Sequence, residues 1–239
     1  MMNSPSGQPS IELFGVTIME PMVTFTDLWV TAVCVYAFIK LSKVSALGTI
    51  KPYLRYYFLC MGIATLIGGI FGHAFQYNFG VGWKIPSWVI SSIGLFCIQK
   101  ATLLFVKPLI SDVLNRFING MVILVFISMT YLTVVNASFL YVQIHLAIGF
   151  LLVVLPLHSY AYIKTHNKGS KYFVLSTLLL SSSLAVYLNN IQLSIWFNHL
   201  DIAHTIMAIS LFFFYKGSLK LGTLKQGNVL KMQGSVGNS

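Results

Sequence analysis

Seven apolar stretches alternate with polar loops along the 239 residues: 22–40, 53–77, 86–106, 117–136, 139–161, 172–191 and 196–215. Each is close to the ~20 residues a helix needs to cross ~30 Å of hydrocarbon. They are too long, and alternate too poorly, for the strands of a membrane barrel. The pattern predicts an all-α polytopic membrane protein with seven transmembrane helices, antiparallel neighbours and short loops. Only Asn136, Ala137 and Ser138 separate the fourth and fifth stretches, which reads as a tight helical hairpin. Residues 1–20 read as an exposed polar arm, 21–216 as the transmembrane domain and 217–239 as a disordered basic tail.

Charge orients this pattern. Of 15 basic residues, 14 fall in or beside alternate loops and the tail, and Lys84 alone falls on the other side. That asymmetry predicts an N-terminus outside and a C-terminus inside, with anionic lipid headgroups meeting the cytoplasmic face. Residues 1–39 hold no Lys or Arg, so a cleaved signal peptide is not expected. Only 8% of residues are charged and 56% are hydrophobic, too little charge to coat a water-facing surface. The net charge of +10 is spread over loops rather than gathered in a motif, which argues against a nucleic-acid partner. Cys34, Cys60 and Cys97 lie inside apolar stretches without CxxC spacing, as packing residues do. Lys100 lies close enough to a span end for its ammonium to snorkel. A bacterial inner membrane is the expected location.

The few ionisable residues then collect at one depth. Glu20 and Asp27 start the first span, His73 ends the second, His145 lies two turns into the fifth, and His199, Asp201 and His204 start the seventh. Ionisable groups inside a span persist where they are paired, hydrated or bound to metal. On the seventh helix Asp201 and His204 share a face, whereas His199 and His204 stand about 140° apart. Two stripes mark the second span. Ala64, Gly68 and Gly72 form a small-residue ridge, and Thr65, Gly69, His73 and Tyr77 form a polar-leaning one. The cluster reads as a buried polar network, a zinc centre ligated by His73, His199 and His204, or part of an ion path. Shared ligation would bring His73 and His204 within roughly 5 Å.

The segments GGIFGHAFQY around His73 and WFNHLDIAHTIMAIS around His199 and His204 resemble the CREST superfamily of alkaline ceramidases and progestin/adiponectin-type receptors. Thr26-Asp27, His73 and the His-x-Asp-x-x-His pattern look closer still to an uncharacterised bacterial family of integral membrane proteins. The resemblance implies seven helices and a zinc site with one histidine late in the second helix and a pair early in the seventh. The superfamily's pair is HxxxH, yet Leu200 stands four before His204. Gly69 replaces the expected serine, and Lys84-Ile85-Pro86 replaces an aspartate. On this likeness His73 and His204 carry over, and His199 or Asp201 supplies the third ligand.

The expected function is a zinc-dependent intramembrane hydrolase of a lipid amide or ester, with Asp27 or Asp201 as general base. The alternatives are a non-catalytic membrane protein, a receptor-like binder or assembly factor, and a proton-coupled transporter. The last fits less well because the charge is confined to one end of the spans.

Overall fold

The structure, a computed structural model, describes residues 7–222 and Leu224. Seven long helices are long and apolar enough to cross a membrane, the makeup of an integral membrane protein. They are α1 (Pro21–Ser42), α2 (Gly48–Ala74), α3 (Val81–Leu109), α4 (Asp112–Asn136), α5 (Leu140–Thr165), α6 (Lys168–Leu188) and α7 (His199–Leu221). All seven expected stretches are helices, with ends shifted by a few residues. The fourth and fifth are separate, because Ala137 takes a left-handed conformation (φ 45°) and stops α4. α7 runs five residues into the segment read as tail; residue 223 and residues 225–239 lie outside the described residues.

Local sequence sets the helix starts. Pro21 opens α1, where its missing N–H costs no hydrogen bond. Asn198 and Asp201 form a capping box at α7: Asn198 Oδ1 accepts from the N–H groups of Leu200 and Asp201, and Asp201 Oδ2 accepts from the Asn198 N–H at 2.8 Å. Asn167 caps α6 and donates to the Leu221 carbonyl at 2.9 Å, fastening the start of α6 to the end of α7.

The helices close into a ring in which α1 packs against α2 and α7, and α3 lies between α2 and α5. α4 leans on the outside of α3 and α5 and is the least buried span. The closest approach joins α6 to α7. A β-carbon on Gly169 would lie 2.6 Å from the Leu221 backbone nitrogen and 2.8 Å from the Gly217 carbonyl oxygen. Nearby, Phe214 stacks edge-on against Phe173 and Tyr57, and Phe150 tilts against it. This aromatic core fills the ring towards its lysine-rich end. His158 is fully buried there, its ring between Phe105 and Phe173 and its nitrogens facing Thr102 and Ser170 hydroxyls at 3.3 and 3.2 Å. Lys100, near the lysine-rich end of α3, has a partner on the neighbouring helix. Its ammonium donates to Asn119 Oδ1 on α4.

The arm is less exposed than the sequence implies. A two-stranded antiparallel hairpin, β1 (Ile11–Leu13) and β2 (Val16–Ile18), does face outward. Gln8, Met19 and Glu20 beside it are buried. Gln8 donates to the Trp196 carbonyl (2.8 Å) and to Asp201 Oδ2 (3.2 Å), and its carbonyl accepts from the Met22 N–H (3.0 Å). A polar side chain so placed satisfies donors and acceptors at the starts of both α1 and α7.

Candidate functional site

Three helix starts and one helix end meet beneath the hairpin. The Met19 N–H bonds the Ala74 carbonyl at 3.0 Å, which fixes the entrance of α1 against the end of α2. The last turns of α2, Gly68–Ala74, are π-helical, with the Phe75 N–H reaching back five residues to the Ile70 carbonyl. Such a segment inserts one residue into the turn and re-aims the side chains beyond the insertion, here that of His73.

Glycines in this segment make room for side chains from neighbouring helices. A β-carbon on Gly69 would fall 2.9 Å from Asp27 Cβ, and one on Gly72 would fall 3.2 Å from Lys84 Cγ. The ridge and stripe seen in the sequence therefore admit an aspartate from α1 and a lysine from α3.

Asp27 stands between two imidazoles. Its Oδ2 is 3.9 Å from His73 Nε2, and its Oδ1 is 3.6 Å from His204 Nδ1. Both rings are held from the Nδ1 side. Glu20 lies 2.5 Å from His73 Nδ1, and Thr26 Oγ1 lies 3.2 Å from His204 Nδ1. Thr26 has acceptors for its one proton in the Val23 carbonyl at 3.0 Å and Asp201 Oδ1 at 3.5 Å, which leaves its oxygen able to accept from His204 Nδ1. A proton on Nδ1 of each ring leaves the Nε2 lone pair open, the arrangement of histidines that act as bases or metal ligands. Glu20 and Asp27 are 1% and 4% exposed, so both carboxyl groups are withdrawn from solvent and meet imidazole nitrogens inside the protein.

The cluster opens on a cavity of about 750 Å³. Glu20, Asp27, His73, Lys84 and His204 line one part, and Met61, Phe150, Leu180 and Met207 line another. An apolar side pocket of about 180 Å³ between α5, α6 and α7 shares Phe150, Leu180 and Met207 with it. A polar cluster against an apolar hollow suits a molecule with a polar head and an apolar body.

The other expected site residues fall elsewhere. Asp201 is fully buried, serves the α7 cap, Gln8 and Thr26 (3.5 Å), and does not line the cavity. His199 lines the cavity but packs at a tilt against Tyr187, with ring centroids 5.6 Å apart. His145 shares the cluster's depth but not its direction. It is buried beside Phe126 with neither ring nitrogen hydrogen-bonded among the described residues.

The ring centroids of His73 and His204 are 6.3 Å apart. On donor chemistry the two rings fit a zinc ion, each being an imidazole steadied at its other nitrogen. Among the described residues no group of three or more His, Cys, Asp or Glu side chains lies at metal-binding spacing, and Asp27 comes nearest. Two residues of the site do not emerge from the sequence pattern as functional: Gln8, which it passes over, and Lys84, which enters it only as a departure from a motif. The signal for Lys84 is its place as the one basic residue off the lysine-rich side.

Residues 22–223 match the model of a family described as "Family of unknown function (DUF6962)", and the chain belongs to that family. No curated protein and no solved structure matches the chain.

Proposed function

We propose that this chain is an intramembrane hydrolase that cleaves an ester or amide in a lipid-like molecule at the cluster of Asp27, His73 and His204. The observation that carries the reading is the Asp27 carboxylate set between two imidazoles at the rim of a largely apolar cavity. The charge asymmetry supports placing this end at the non-cytoplasmic face, with a bacterial inner membrane as the setting.

The division of labour follows from the bonds. Glu20 and Thr26 fix the two rings and leave Nε2 of each facing away from its anchor. Asp27, within 4 Å of both rings, accepts the proton that an attacking water gives up as its oxygen bonds to the carbonyl carbon. It then returns that proton to the alcohol or amine that leaves as the C–O or C–N bond breaks. Zinc is the cofactor we propose, held by His73 and His204 through Nε2; when bound it supplies a Lewis acid and a water ionised near neutral pH. The apolar part of the cavity holds the chain of the substrate and keeps bulk water from it.

A second reading, a non-catalytic protein with the same cluster as a structural network, is favoured by the close Glu20–His73 pair, which joins α1 to α2 directly. Metal analysis of purified protein, followed by release of fatty acid from a lipid panel, separates the two. About one zinc per chain, lost in His73→Ala and His204→Ala, with hydrolysis lost in Asp27→Asn, supports the hydrolase. Metal-free protein of normal stability that releases no fatty acid leaves the structural network.

A further inference from the structure

We propose that Lys84 anchors the polar head of the cavity's ligand and selects an amphipathic molecule that carries an anion, a carboxylate or a phosphate, at that head. The inference deepens the lipid-binding reading above and rests on it.

Lys84 lies in the first turn of the regular part of α3 and is, among the described residues, the one lysine or arginine on the cavity wall. Its stem is laid along α2. A β-carbon on Gly72 would meet Lys84 Cγ at 3.2 Å, Cε at 3.4 Å and Cδ at 3.7 Å. A long flexible side chain held along its length in this way has lost much of the entropy that usually opposes binding through lysine.

The ammonium itself has no hydrogen bond or ion pair within 4 Å among the described residues, where the ion pairs of this cluster all involve histidine. Glu20 and Asp27 are within electrostatic reach of it but do not touch it. Those two carboxylates are nearly inaccessible and face imidazoles, whereas Lys84 is half-buried on the wall. A ligand's head therefore meets the ammonium before it meets a carboxylate. A partly desolvated ammonium over an apolar hollow gains most from an anion that brings its own chain into that hollow. Position adds to the argument. Fourteen of fifteen basic residues follow the lysine-rich side and need only lipid headgroups to explain them, and Lys84 does not.

The test uses the full chain in detergent and four probes: palmitate, a single-chain lysophosphatidate, monopalmitoylglycerol as the matched neutral lipid, and inorganic phosphate. Binding is read by ligand-induced thermal shift and by titration. The anionic lipids, or one of them, are expected to bind about 10- to 100-fold more tightly than the neutral one, the range of one charge-assisted hydrogen bond. Lys84→Met should abolish that ratio while leaving the neutral lipid's affinity in place, and Lys84→Arg should keep it. Tighter binding of palmitate or of the phospholipid tells which anion the site prefers. Equal binding of charged and neutral lipids by the unaltered protein overturns the proposal. So does a Lys84→Met variant that still discriminates, or free phosphate binding as tightly as the lipids. Should no lipid bind, the cavity reading falls and takes this one with it. Discrimination without zinc or hydrolysis removes the hydrolase reading alone.

Discussion

The Asp27 side chain occupies the space that a side chain at residue 69 would need: a β-carbon on Gly69 lies 2.9 Å from Asp27 Cβ and 3.5 Å from the Thr24 carbonyl oxygen. The carboxylate reaches the two imidazoles because α2 offers no side chain there. Gly69→Ala should therefore push α1 and α2 apart locally and move Asp27. We expect hydrolysis to fall about 100-fold, the cost of a misplacement near 1 Å, and stability to fall by about 1–3 kcal/mol from overpacking. Gly82→Ala, where a β-carbon meets nothing within 4 Å, is the matched control and should leave turnover as it is.

Glu20→Gln tests the anchoring of His73. The amide keeps the shape but loses the charge that steadies the Nδ1 proton at 2.5 Å. Loss of such a partner lowers metal affinity or activity by about 10- to 100-fold. Zinc content measured against competing chelator should show that drop in protein that still elutes as folded material. Unchanged zinc affinity would count against the role given to Glu20.

Asp201→Asn separates capping from catalysis. Its carboxylate accepts from the Asn198 N–H and from Gln8 and is absent from the cavity wall. The change should cost about 0.5–2 kcal/mol of stability through the weakened cap and leave the hydrolytic rate near that of the unaltered protein. A rate lost as completely as in Asp27→Asn would return Asp201 to the chemistry.

Gly169→Val tests the α6–α7 crossing. Its β-carbon would meet backbone, at 2.6 Å from the Leu221 nitrogen and 2.8 Å from the Gly217 oxygen, and backbone cannot swing aside. Thermal unfolding in detergent should show a loss of at least about 3 kcal/mol. Gly120→Val, on the exposed helix α4 with open space around it, should unfold as the parent does.

Much of this arrangement is legible in the chain. Apolar stretches of one bilayer's thickness give the seven helices, and depth along them brings Asp27, His73 and His204 to one level. Depth does not give direction around a helix, and that is where residue pattern and structure part. His145 has the right height and turns towards Phe126. His199 opens α7, about 140° around from His204 on an ideal helix, and packs at a tilt against Tyr187. Asp201 shares a face with His204 as its spacing predicts, yet the same position within α7's first turn commits it to the cap. Gln8 is invisible in the sequence because its partners Trp196 and Asp201 lie about 190 residues away, and no periodicity records such a bond.

The π-helical turn at Gly68–Ala74 makes the winding of α2, as well as residue identity, a determinant of this site. One residue more than α-helical geometry requires amounts to about 100° of rotation. The same residues wound as regular α-helix would leave the preceding part of α2 seated as before and swing His73 away from Glu20 and Asp27. A relative one residue shorter there would wind as plain α-helix and still aim its histidine at the two carboxylates, so in comparing relatives a single gap in this turn shifts the numbering without dismantling the centre.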